Sequence, residues 1–406
     1  MSRAARVRGH IEAFLKTEAA SGVVLLVAAL VALGFANSPA AGIYHRVQTF
    51  PLRLSVHDFA FERSLSWWVN DGLMVLFFFV VGLEIRREMH AGELSEWKRA
   101  VVPTAAALGG MLVPAGLYLA CASRPESQHG WGVPMATDIA FAVGILALLG
   151  SRVPSALRML LLAIAIIDDI GAILVIAFAY SSGISLTGVA VALTGFGVVV
   201  LLKQLGVRRK LAYVVPAVVT WGGTYAAGVH PTIAGVALGL VTPVTVWPSA
   251  AAEGETLSPA DALIHALHPW VAFGIMPLFA LANAGVTLAG FEPNEVSRGV
   301  VLGVGLGLVV GKPLGVALAT SLVLRTGLGT LPAGFGRLHV LVVGIVAGVG
   351  FTMALFVAEL AFQEGPLLDA AKLGVLGASA LSGVLTLVVG RAVLSSPPAG
   401  PPPESP

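Results

Sequence analysis

The sequence predicts an all-α membrane protein, and three observations support this fold class. Hydrophobic residues make up 57% of the 406 residues and charged residues only 11%, whereas soluble domains average roughly 25% charged residues. Apolar stretches of about 20 residues, the length that crosses a bilayer as a helix, recur along the chain. Lysine and arginine are dense in alternate connecting loops, as in multi-pass membrane proteins. The net charge of +2 indicates no nucleic-acid partner.

Twelve segments are apolar enough and long enough to be transmembrane helices. The seventh and eighth are the least clearly separated, because only His230-Pro231 interrupts an uncharged stretch from 211 to 252. The predicted spans are 17–36, 65–85, 100–121, 132–149, 157–180, 186–203, 211–228, 231–246, 268–290, 299–324, 338–361 and 371–391.

The basic residues predict the orientation of these spans. Seventeen lysine and arginine residues fall in segments on the side of the N-terminus, six fall in the opposite loops, and Lys312 falls inside a span. The positive-inside rule therefore predicts cytoplasmic N- and C-termini. We expect residues 1–394 to form one membrane domain and the proline-rich residues 395–406 to form a disordered tail.

The only long predicted outer loop covers residues 43–62. Residues 43–48 and 52–57 partly alternate polar and apolar side chains, and Phe50-Pro51 lies between them. The pattern is compatible with a short β-hairpin, and equally with an irregular loop.

A few charged residues inside the predicted spans are the main functional signal. Each costs at least about 2.5 kcal/mol at a helix centre, so it normally faces a partner or a water-filled cavity. One interpretation is that these charges pair with one another and serve only to hold helices together. Because carboxylates outnumber the one lysine, we instead expect the surplus to bind a cation or protons. The set is Asp138, Asp168, Asp169 and Lys312, with Asp71 and Glu84 nearer the ends of the second span.

Asp168 and Asp169 are adjacent, so their side chains project about 100° apart around a helix and cannot have identical roles. One can face a cavity shared with Asp138 while the other turns toward Lys312. A carboxylate buried without a partner favours its protonated form, and oxygen ligands, including the hydroxyl of Thr137, suit hard cations. Competition between a small cation and protons for these carboxylates would itself be an exchange mechanism.

Two predicted spans, the fourth and the eleventh, do not fit a continuous helix. Pro134 precedes Thr137-Asp138 in the fourth, and Gly348 and Gly350 interrupt the eleventh. Breaks in corresponding spans of two halves indicate a transporter's binding site, because irregular backbone at membrane depth must be covered by protein or line a cavity. Glycine could instead merely allow close helix packing, which is our interpretation of the glycines in the tenth span.

The chain resembles the NhaA-type bacterial sodium/proton antiporters over roughly residues 12–392. The resemblance rests on short motifs that occur in order on the expected spans. They are Asn70-Asp71, Gly82-Leu83-Glu84 with Arg87-Glu88, Ala136-Thr137-Asp138-Ile139-Ala140-Phe141, Ile167-Asp168-Asp169-Ile170-Gly171-Ala172, Gly228-Val229-His230, His268-Pro269-Trp270, Gly311-Lys312-Pro313 and Gly350-Phe351-Thr352-Met353.

This resemblance implies a fold of twelve transmembrane helices, with inverted repeats in spans 3–5 and 10–12 and crossing breaks in spans 4 and 11. It implies a transporter rather than an enzyme, with no resident cofactor. The implied reaction is electrogenic, pH-regulated exchange of cytoplasmic Na⁺ or Li⁺ for external H⁺, with two protons per sodium ion. The implied setting is the bacterial inner membrane, where a homodimer joined through the first outer loop would serve sodium and pH homeostasis.

The resemblance also implies three groups of functional residues. Asp138 and Asp169, with Thr137, would form the Na⁺ or Li⁺ site. Asp168 would pair with Lys312 and exchange that partner for a proton, while Asp138 and Lys312 would compensate the partial charges at the helix breaks. The residues that the family ties to pH sensing at the cytoplasmic funnel are Glu84, Arg87, Glu88, His230, His265 and His268.

One position departs from the family pattern. The family has a glutamate just before the first histidine of the ninth span, where this chain has Ile264 before His265. Basic residues shortly upstream are missing as well. We therefore expect exchange activity with a different pH profile.

Two other functional classes remain as alternatives. An intramembrane aspartyl protease could use Asp138 and Asp168 on consecutive spans, but neither the Gly-x-Gly-Asp pattern nor the later Pro-Ala-Leu of such enzymes occurs here. A passive cation channel usually repeats one filter by symmetry across subunits, whereas these carboxylates are arranged asymmetrically in one chain. Sodium uptake driven uphill by a proton gradient would distinguish an antiporter from a channel.

Overall fold

The computed structural model describes residues 3–56, 59–181, 183–246, 257–288, 294–331, 335–362 and 364–394. Side chains are described from residue 20 onward, except at positions 56, 59, 93 and 151. The predicted tail, 395–406, lies outside the described residues.

The described chain is almost entirely helical. Its helices, numbered in chain order, are α1 (Arg3–Ala36), α2 (Ala41–Gln48), α3 (Leu65–Ala91), α4 (Trp97–Cys121), α5 (Pro125–Met135), α6 (Ile139–Leu148), α7 (Ser155–Ala179), α8 (Leu186–Gln204), α9 (Val214–Ala226), α10 (Thr232–Val241), α11 (Pro259–Asn283), α12 (Glu295–Arg325), α13 (Arg337–Ala347), α14 (Phe351–Ala361) and α15 (Pro366–Val393). Short 3-10 turns lie at Glu93–Ser95, Gly150–Arg152 and Lys210–Tyr213.

Three of these helices contain a π-helical stretch, and one helix ends in 3-10 geometry. The π stretches are Trp68–Leu73 in α3, Val271–Ile275 in α11 and Gly307–Gly311 in α12. The second half of α5, His129–Met135, is a 3-10 helix. Such departures from regular α-helix are frequent at functional sites.

Among the described residues, seven helices are long and apolar enough to cross a membrane, namely α3, α4, α7, α8, α11, α12 and α15. Three bent pairs of helices also qualify when each pair is taken together, which raises the count to ten. Each of the twelve predicted segments overlaps a helix or a bent pair. The prediction of an all-α membrane protein is therefore confirmed, while twelve membrane crossings stay a prediction.

The ninth predicted span is wrong at its start, because α11 begins at Pro259 rather than at residue 268. Ser258 caps the helix by accepting a hydrogen bond from Asp261 N at 3.1 Å, and a proline follows at the first helical position. Both features favour a helix start. Ile264 and His265 consequently lie within α11 and not in a loop.

The outer loop contains a β-hairpin, and of the two segments marked by alternation, 52–57 overlaps its first strand whereas 43–48 does not form its second. Strand β1 (Pro51–Val56) pairs antiparallel with β2 (Phe59–Ser64), from Pro51 opposite Ser64 to Val56 opposite Phe59. Residues 43–48, which the alternation marked as extended, belong to helix α2. The hairpin is thus shifted toward α3, and Ser64 caps the first turn of that helix by accepting from Trp67 N.

Glycines bring pairs of helices into backbone contact. A Cβ on Gly82 of α3 would lie 2.6 Å from the carbonyl oxygen of Val236 in α10. Helices α4 and α12 meet in the same way at Gly109 and Gly315, where a Cβ on either glycine would overlap the other's backbone. This close approach is the packing role expected for the glycines of the tenth span.

Both predicted broken helices are bent pairs. The pair α5 and α6 and the pair α13 and α14 each bend by 50° at a three-residue break. Pro134 lies in the last 3-10 turn before the first break, and Gly348 and Gly350 lie within the second. A Cβ on Gly350 would come within 3.1 Å of the carbonyl oxygen of Ala136, so the two breaks are in close contact. The inverted-repeat relation between spans 3–5 and 10–12 stays a prediction.

Candidate functional site

Asp138 lies at the N-termini of two half-helices. Its Oδ1 accepts a hydrogen bond from Phe141 N of α6 at 2.9 Å. Its Oδ2 accepts from the main-chain N and the hydroxyl of Thr352 in α14, at 3.0 and 2.5 Å. Its own main-chain N donates to Val349 O in the facing break at 2.8 Å. One buried carboxylate therefore balances the partial positive charge at both helix N-termini.

Lys312 lies at the opposite, negative end of a half-helix. Its ammonium group donates to the carbonyl oxygen of Met135, the last residue of α5, in a short contact. It also forms an ion pair with Asp168, with 2.7 Å between Nζ and Oδ2. Both side chains are fully buried. The lysine thus compensates one helix C-terminus and one carboxylate at the same time.

Thr137 connects this ion pair to the second break. Its hydroxyl oxygen lies 2.8 Å from Asp168 Oδ2 and 2.9 Å from the carbonyl oxygen of Ala347, the last residue of α13. The single hydroxyl hydrogen is therefore directed toward one of these two acceptors. The lone pairs of the hydroxyl remain available to a cation.

Asp169 faces away from the ion pair, as the 100° offset between adjacent helical residues requires. It is buried, with 2% of its surface exposed, and its Oδ1 has no hydrogen-bond partner among the described residues. Sequence reasoning from adjacency alone left open which aspartate takes which direction. In the structure Asp168 pairs with Lys312, and the side chain of Asp169 faces a cavity.

The cavity has a volume of about 60 Å³ and is lined by all three predicted cation ligands, Thr137, Asp138 and Asp169. One water molecule needs roughly 10–15 Å³ of such space, so the cavity has room for a small cation with water. No group of three or more His, Cys, Asp and Glu side chains within the described ranges forms a preassembled metal site. A cation here would be held by two carboxylates, hydroxyl or carbonyl oxygens and water. The polar lining residues are Glu84, Thr137, Asp138, Asp169 and His268.

The residues implied in pH sensing divide between the cavity and the surface. Glu84 and His268 line the cavity beside the candidate cation ligands. Arg87 and His265 are exposed, and Glu88 is half-buried. Two of the six residues are therefore in position to act on the cavity directly.

His230 lies elsewhere and does not line this cavity, and its part in pH sensing stays a prediction. Its Nε2 lies 3.2 Å from Asp71 Oδ1, and its Nδ1 lies 2.8 Å from the hydroxyl of Thr232. Asp71 and Glu84 are thirteen residues apart on α3, which corresponds to about 20 Å along the helix. His230 and Asp71 thus form a separate pair near the other end of α3.

Ile264 occupies an apolar environment. It is 6% exposed and packs in a small cluster with Leu83 and Ala260. Leu83 directly precedes Glu84, which lines the cavity. Where the family has a glutamate, this chain therefore has an apolar side chain that packs against the neighbour of a cavity residue.

Sequence reasoning did not single out Thr352 as a site residue. Its hydroxyl and main-chain N both bind Asp138, although the sequence signal was present in the Gly350-Phe351-Thr352-Met353 motif. Ser379 of α15 was missed as well, and its hydroxyl accepts from Phe351 N at 3.0 Å. Asp138 and Ser379 therefore accept from the first two free N–H groups of α14, those of Thr352 and Phe351.

Comparisons with known proteins give the relationship of the whole chain. A family model described as Na+/H+ antiporter 1 matches residues 12–389. The chain is 56% identical to Na(+)/H(+) antiporter NhaA 2 of Myxococcus xanthus, over 97% of this chain and 92% of that protein. It is 54% identical to Na(+)/H(+) antiporter NhaA 2 of Sorangium cellulosum, over 96% and 91%. It is 52% identical to Na(+)/H(+) antiporter NhaA of an Acidovorax species, over 92% and 89%.

Proposed function

The chain belongs to the Na+/H+ antiporter 1 family, and we propose that it exchanges cytoplasmic Na⁺ or Li⁺ for external H⁺ by competition at Asp138 and Asp169. It is a transporter and not an enzyme. The finer points, namely which residues bind the cation, how many protons move and how pH acts, form the proposal developed here.

The observation that carries this proposal is the position of Asp169. The carboxyl group is buried, one of its oxygens has no hydrogen-bond partner among the described residues, and it faces a cavity that it shares with Asp138. An isolated buried carboxylate is stable only as the protonated acid or with a bound cation. Binding of Na⁺ to the Asp138 and Asp169 oxygens therefore releases the proton of Asp169, and proton binding releases Na⁺.

The ion pair between Asp168 and Lys312 provides a second protonation step. When Asp168 takes up a proton, its attraction to Lys312 is lost, and the hydroxyl of Thr137 can turn fully to Ala347 O. One proton at each of Asp169 and the Asp168–Lys312 pair gives two protons inward for one sodium ion outward. Each cycle then moves one net positive charge inward, which makes the exchange electrogenic.

Regulation by pH would act through the groups at the cavity. Glu84 and His268 lie beside the cation ligands, Arg87 and Glu88 follow Glu84 on α3, and His265 precedes His268 on α11. Ile264 supplies hydrophobic contact in place of the family's glutamate, so we expect a pH profile unlike that of the typical member. The pH profile is measured as initial exchange rates over a pH series. A profile that rises steeply above neutral pH would show that Ile264 does not alter the pH dependence of exchange.

The wider setting is also part of the proposal. The basic residues predict cytoplasmic N- and C-termini, and the family relationship implies the bacterial inner membrane. The hairpin of β1 and β2 has exposed backbone edges, through which a second copy of the chain could add strands to form a homodimer. In this setting the exchange serves sodium and pH homeostasis.

The experiment that tests the proposed function is ²²Na⁺ uptake into proteoliposomes with an acidic interior. We expect wild-type protein to accumulate sodium above the external concentration, which a passive channel cannot do. Asp169→Asn should abolish the accumulation. Asp369→Asn makes the same chemical change in the first turn of α15, away from the cavity, and should retain it. Equal accumulation by wild type and Asp169→Asn would refute the site assignment.

A further inference from the structure

We propose that Tyr180 is a positioning residue of the cation site, and that its hydroxyl group sets how tightly the site holds Na⁺ or Li⁺ by fixing α5 against α7. This inference rests on the proposed function, because it concerns the site formed by Thr137, Asp138 and Asp169. Tyr180 directly follows α7, the helix that carries Asp168 and Asp169. Its hydroxyl contacts α5, the half-helix that leads to Thr137 and Asp138, and Tyr180 is not among the residues that line the cavity.

The Tyr180 hydroxyl is bonded to two main-chain groups of α5. It donates to the carbonyl oxygen of His129 at 2.7 Å and accepts from the main-chain N of Gly132 at 3.3 Å. These are the i and i+3 groups that one 3-10 turn brings together. The tyrosine is therefore attached to one turn of the 3-10 segment His129–Met135 and fixes the position of that turn relative to the end of α7.

Gly132 leaves the room that this contact needs. A Cβ at position 132 would lie 2.8 Å from the Tyr180 hydroxyl oxygen and 3.1 Å from Cγ1 of Val175 in α7. Because glycine has no side chain, the backbone of α5 lies directly against α7 and the tyrosine that follows it. A side chain at position 132 would displace either the hydroxyl group or the 3-10 segment.

The segment that Tyr180 holds has little rigidity of its own. A 3-10 helix has poorer hydrogen-bond geometry than an α-helix, and Pro134 removes one main-chain donor from its last turn. After Met135 the chain leaves helical geometry for the three residues of the break, 136–138. The position of the break therefore depends on contacts that other elements make with the 3-10 segment.

The chain around the first break is joined to α7 at two points, and the cation site lies at the second. The first point is the Tyr180 hydroxyl, and the second is the contact of the Thr137 hydroxyl with Asp168 Oδ2 at 2.8 Å. Twelve residues separate Asp168 from Tyr180, which is about 18 Å along α7. A shift of α5 along α7 at the first point would displace Thr137 and also the carbonyl oxygen of Met135, which Lys312 binds.

Loss of this register weakens cation binding without removing any ligand. Asp169 lies on α7 whereas Thr137 and Asp138 lie in the break, so their oxygens are correctly spaced only when α5 is in register. The apparent affinity falls in proportion to the fraction of molecules in that state. A bound cation restores the register, so the rate at saturating sodium is kept. Li⁺ is smaller than Na⁺, and smaller cations tolerate less variation in ligand geometry, so Li⁺ binding suffers more.

The experiment measures the KM and the maximal rate of Na⁺/H⁺ and Li⁺/H⁺ exchange in proteoliposomes with Tyr180→Phe, which removes only the hydroxyl group. We expect the KM for Na⁺ to rise several-fold, the KM for Li⁺ to rise more, and both maximal rates to remain close to those of wild type. Gly132→Ala keeps the tyrosine but displaces its hydroxyl group. It should raise both KM values in the same way, and it gives the test if Tyr180→Phe does not accumulate in the membrane.

Tyr118→Phe is the matched control, because it removes a second hydroxyl bond to the same half-helix. The Tyr118 hydroxyl donates to the carbonyl oxygen of Ser127 in the first turn of α5 at 2.6 Å, but Tyr118 belongs to α4, which carries none of the proposed cation ligands. We expect lower thermal stability and a clearly smaller rise in KM than in Tyr180→Phe. Tyr213→Phe removes a hydroxyl bond to the carbonyl oxygen of Val207, away from the cavity, and should leave both KM values unchanged.

Three results would overturn the positioning role of Tyr180. They are unchanged KM values in Tyr180→Phe, a lower maximal rate at unchanged KM, and an equal rise in KM in Tyr118→Phe. A KM that rises for Na⁺ but not for Li⁺ would contradict the geometric reason given for it. Sodium accumulation by wild type together with wild-type KM values in Tyr180→Phe refutes the positioning role alone, whereas absence of accumulation by wild type refutes the proposed antiport mechanism.

Discussion

At the scale of single residues, three buried aspartates differ because their neighbours differ. Asp138 accepts bonds from two helix N-termini, Asp168 is paired with a lysine, and Asp169 faces a cavity. Adjacency in the sequence predicted that Asp168 and Asp169 must diverge. It could not predict which of them meets Lys312, because that depends on how α7 is rotated against α12. Family resemblance supplied the assignment that the structure gives.

The buried lysine is the residue whose loss we expect to cost most stability. In Lys312→Ala, Asp168 loses its counter-charge and Met135 O loses its donor, both in a fully buried environment. Breaking a buried pair from one side typically costs about 3–5 kcal/mol. Thermal unfolding in detergent measures the effect, and exchange activity should fall as well.

Lys372→Ala is the matched control for this lysine. The Lys372–Glu359 pair keeps 11% and 21% of its side-chain surfaces exposed, so solvent can partly replace the lost partner. We expect a clearly smaller drop in melting temperature. An equal or larger drop in Lys372→Ala would mean that burial of Lys312 is not what makes it important.

At the scale of elements, the broken helices could be predicted and some boundaries could not. Pro134 and the glycines of the eleventh span marked both breaks. The start of α11 was missed because the cap formed by Ser258 and Asp261 looked like loop sequence. The alternation in 43–48 was misleading because α2 also places residues four apart on one face, where Tyr44 and Gln48 donate to carbonyl oxygens at the end of α11.

Gly348 tests whether the crossing of the breaks depends on the absence of a side chain. A Cβ at this position would overlap the carbonyl oxygen of Leu308 in α12, so Gly348→Ala should force the crossing apart. We expect lower thermal stability and loss of most exchange activity. The comparison is Gly377→Ala in α15, where a Cβ would have no neighbour within 4 Å. If the Gly348→Ala variant were as stable and as active as the Gly377→Ala variant, this would contradict the account of the break.

At the scale of the whole molecule, composition and the placement of basic residues predicted the membrane class and an orientation. The position of the cavity relative to that orientation could not be predicted, because it depends on contacts among α3, α7, α11 and the two broken pairs. The structure places Glu84 and His268 at the cavity and Asp71 with His230 near the other end of α3. The polar groups are therefore unevenly distributed along α3, with the cavity beside Glu84 and the pair of Asp71 with His230 near the other end.

Charge movement is the property of the whole molecule that the proposed stoichiometry predicts. Two protons inward for one sodium ion outward carry net positive charge inward, so an inside-negative potential set by an outward K⁺ gradient and valinomycin should drive sodium out of vesicles that have no initial Na⁺ or H⁺ gradient. Efflux of ²²Na⁺ with and without valinomycin measures this in protein oriented as in the cell. Efflux that does not respond to the potential would indicate one proton per sodium ion.

The central claim is that sodium and protons compete for the same carboxylates, and proton release on sodium binding tests it most directly. Purified protein in weakly buffered detergent solution receives NaCl, and an indicator dye follows the pH, with choline chloride as the control for ionic strength. We predict that wild type releases protons on addition of Na⁺ and that Asp169→Asn releases markedly fewer. Sodium binding by wild type without proton release, or undiminished release by Asp169→Asn, would contradict the account.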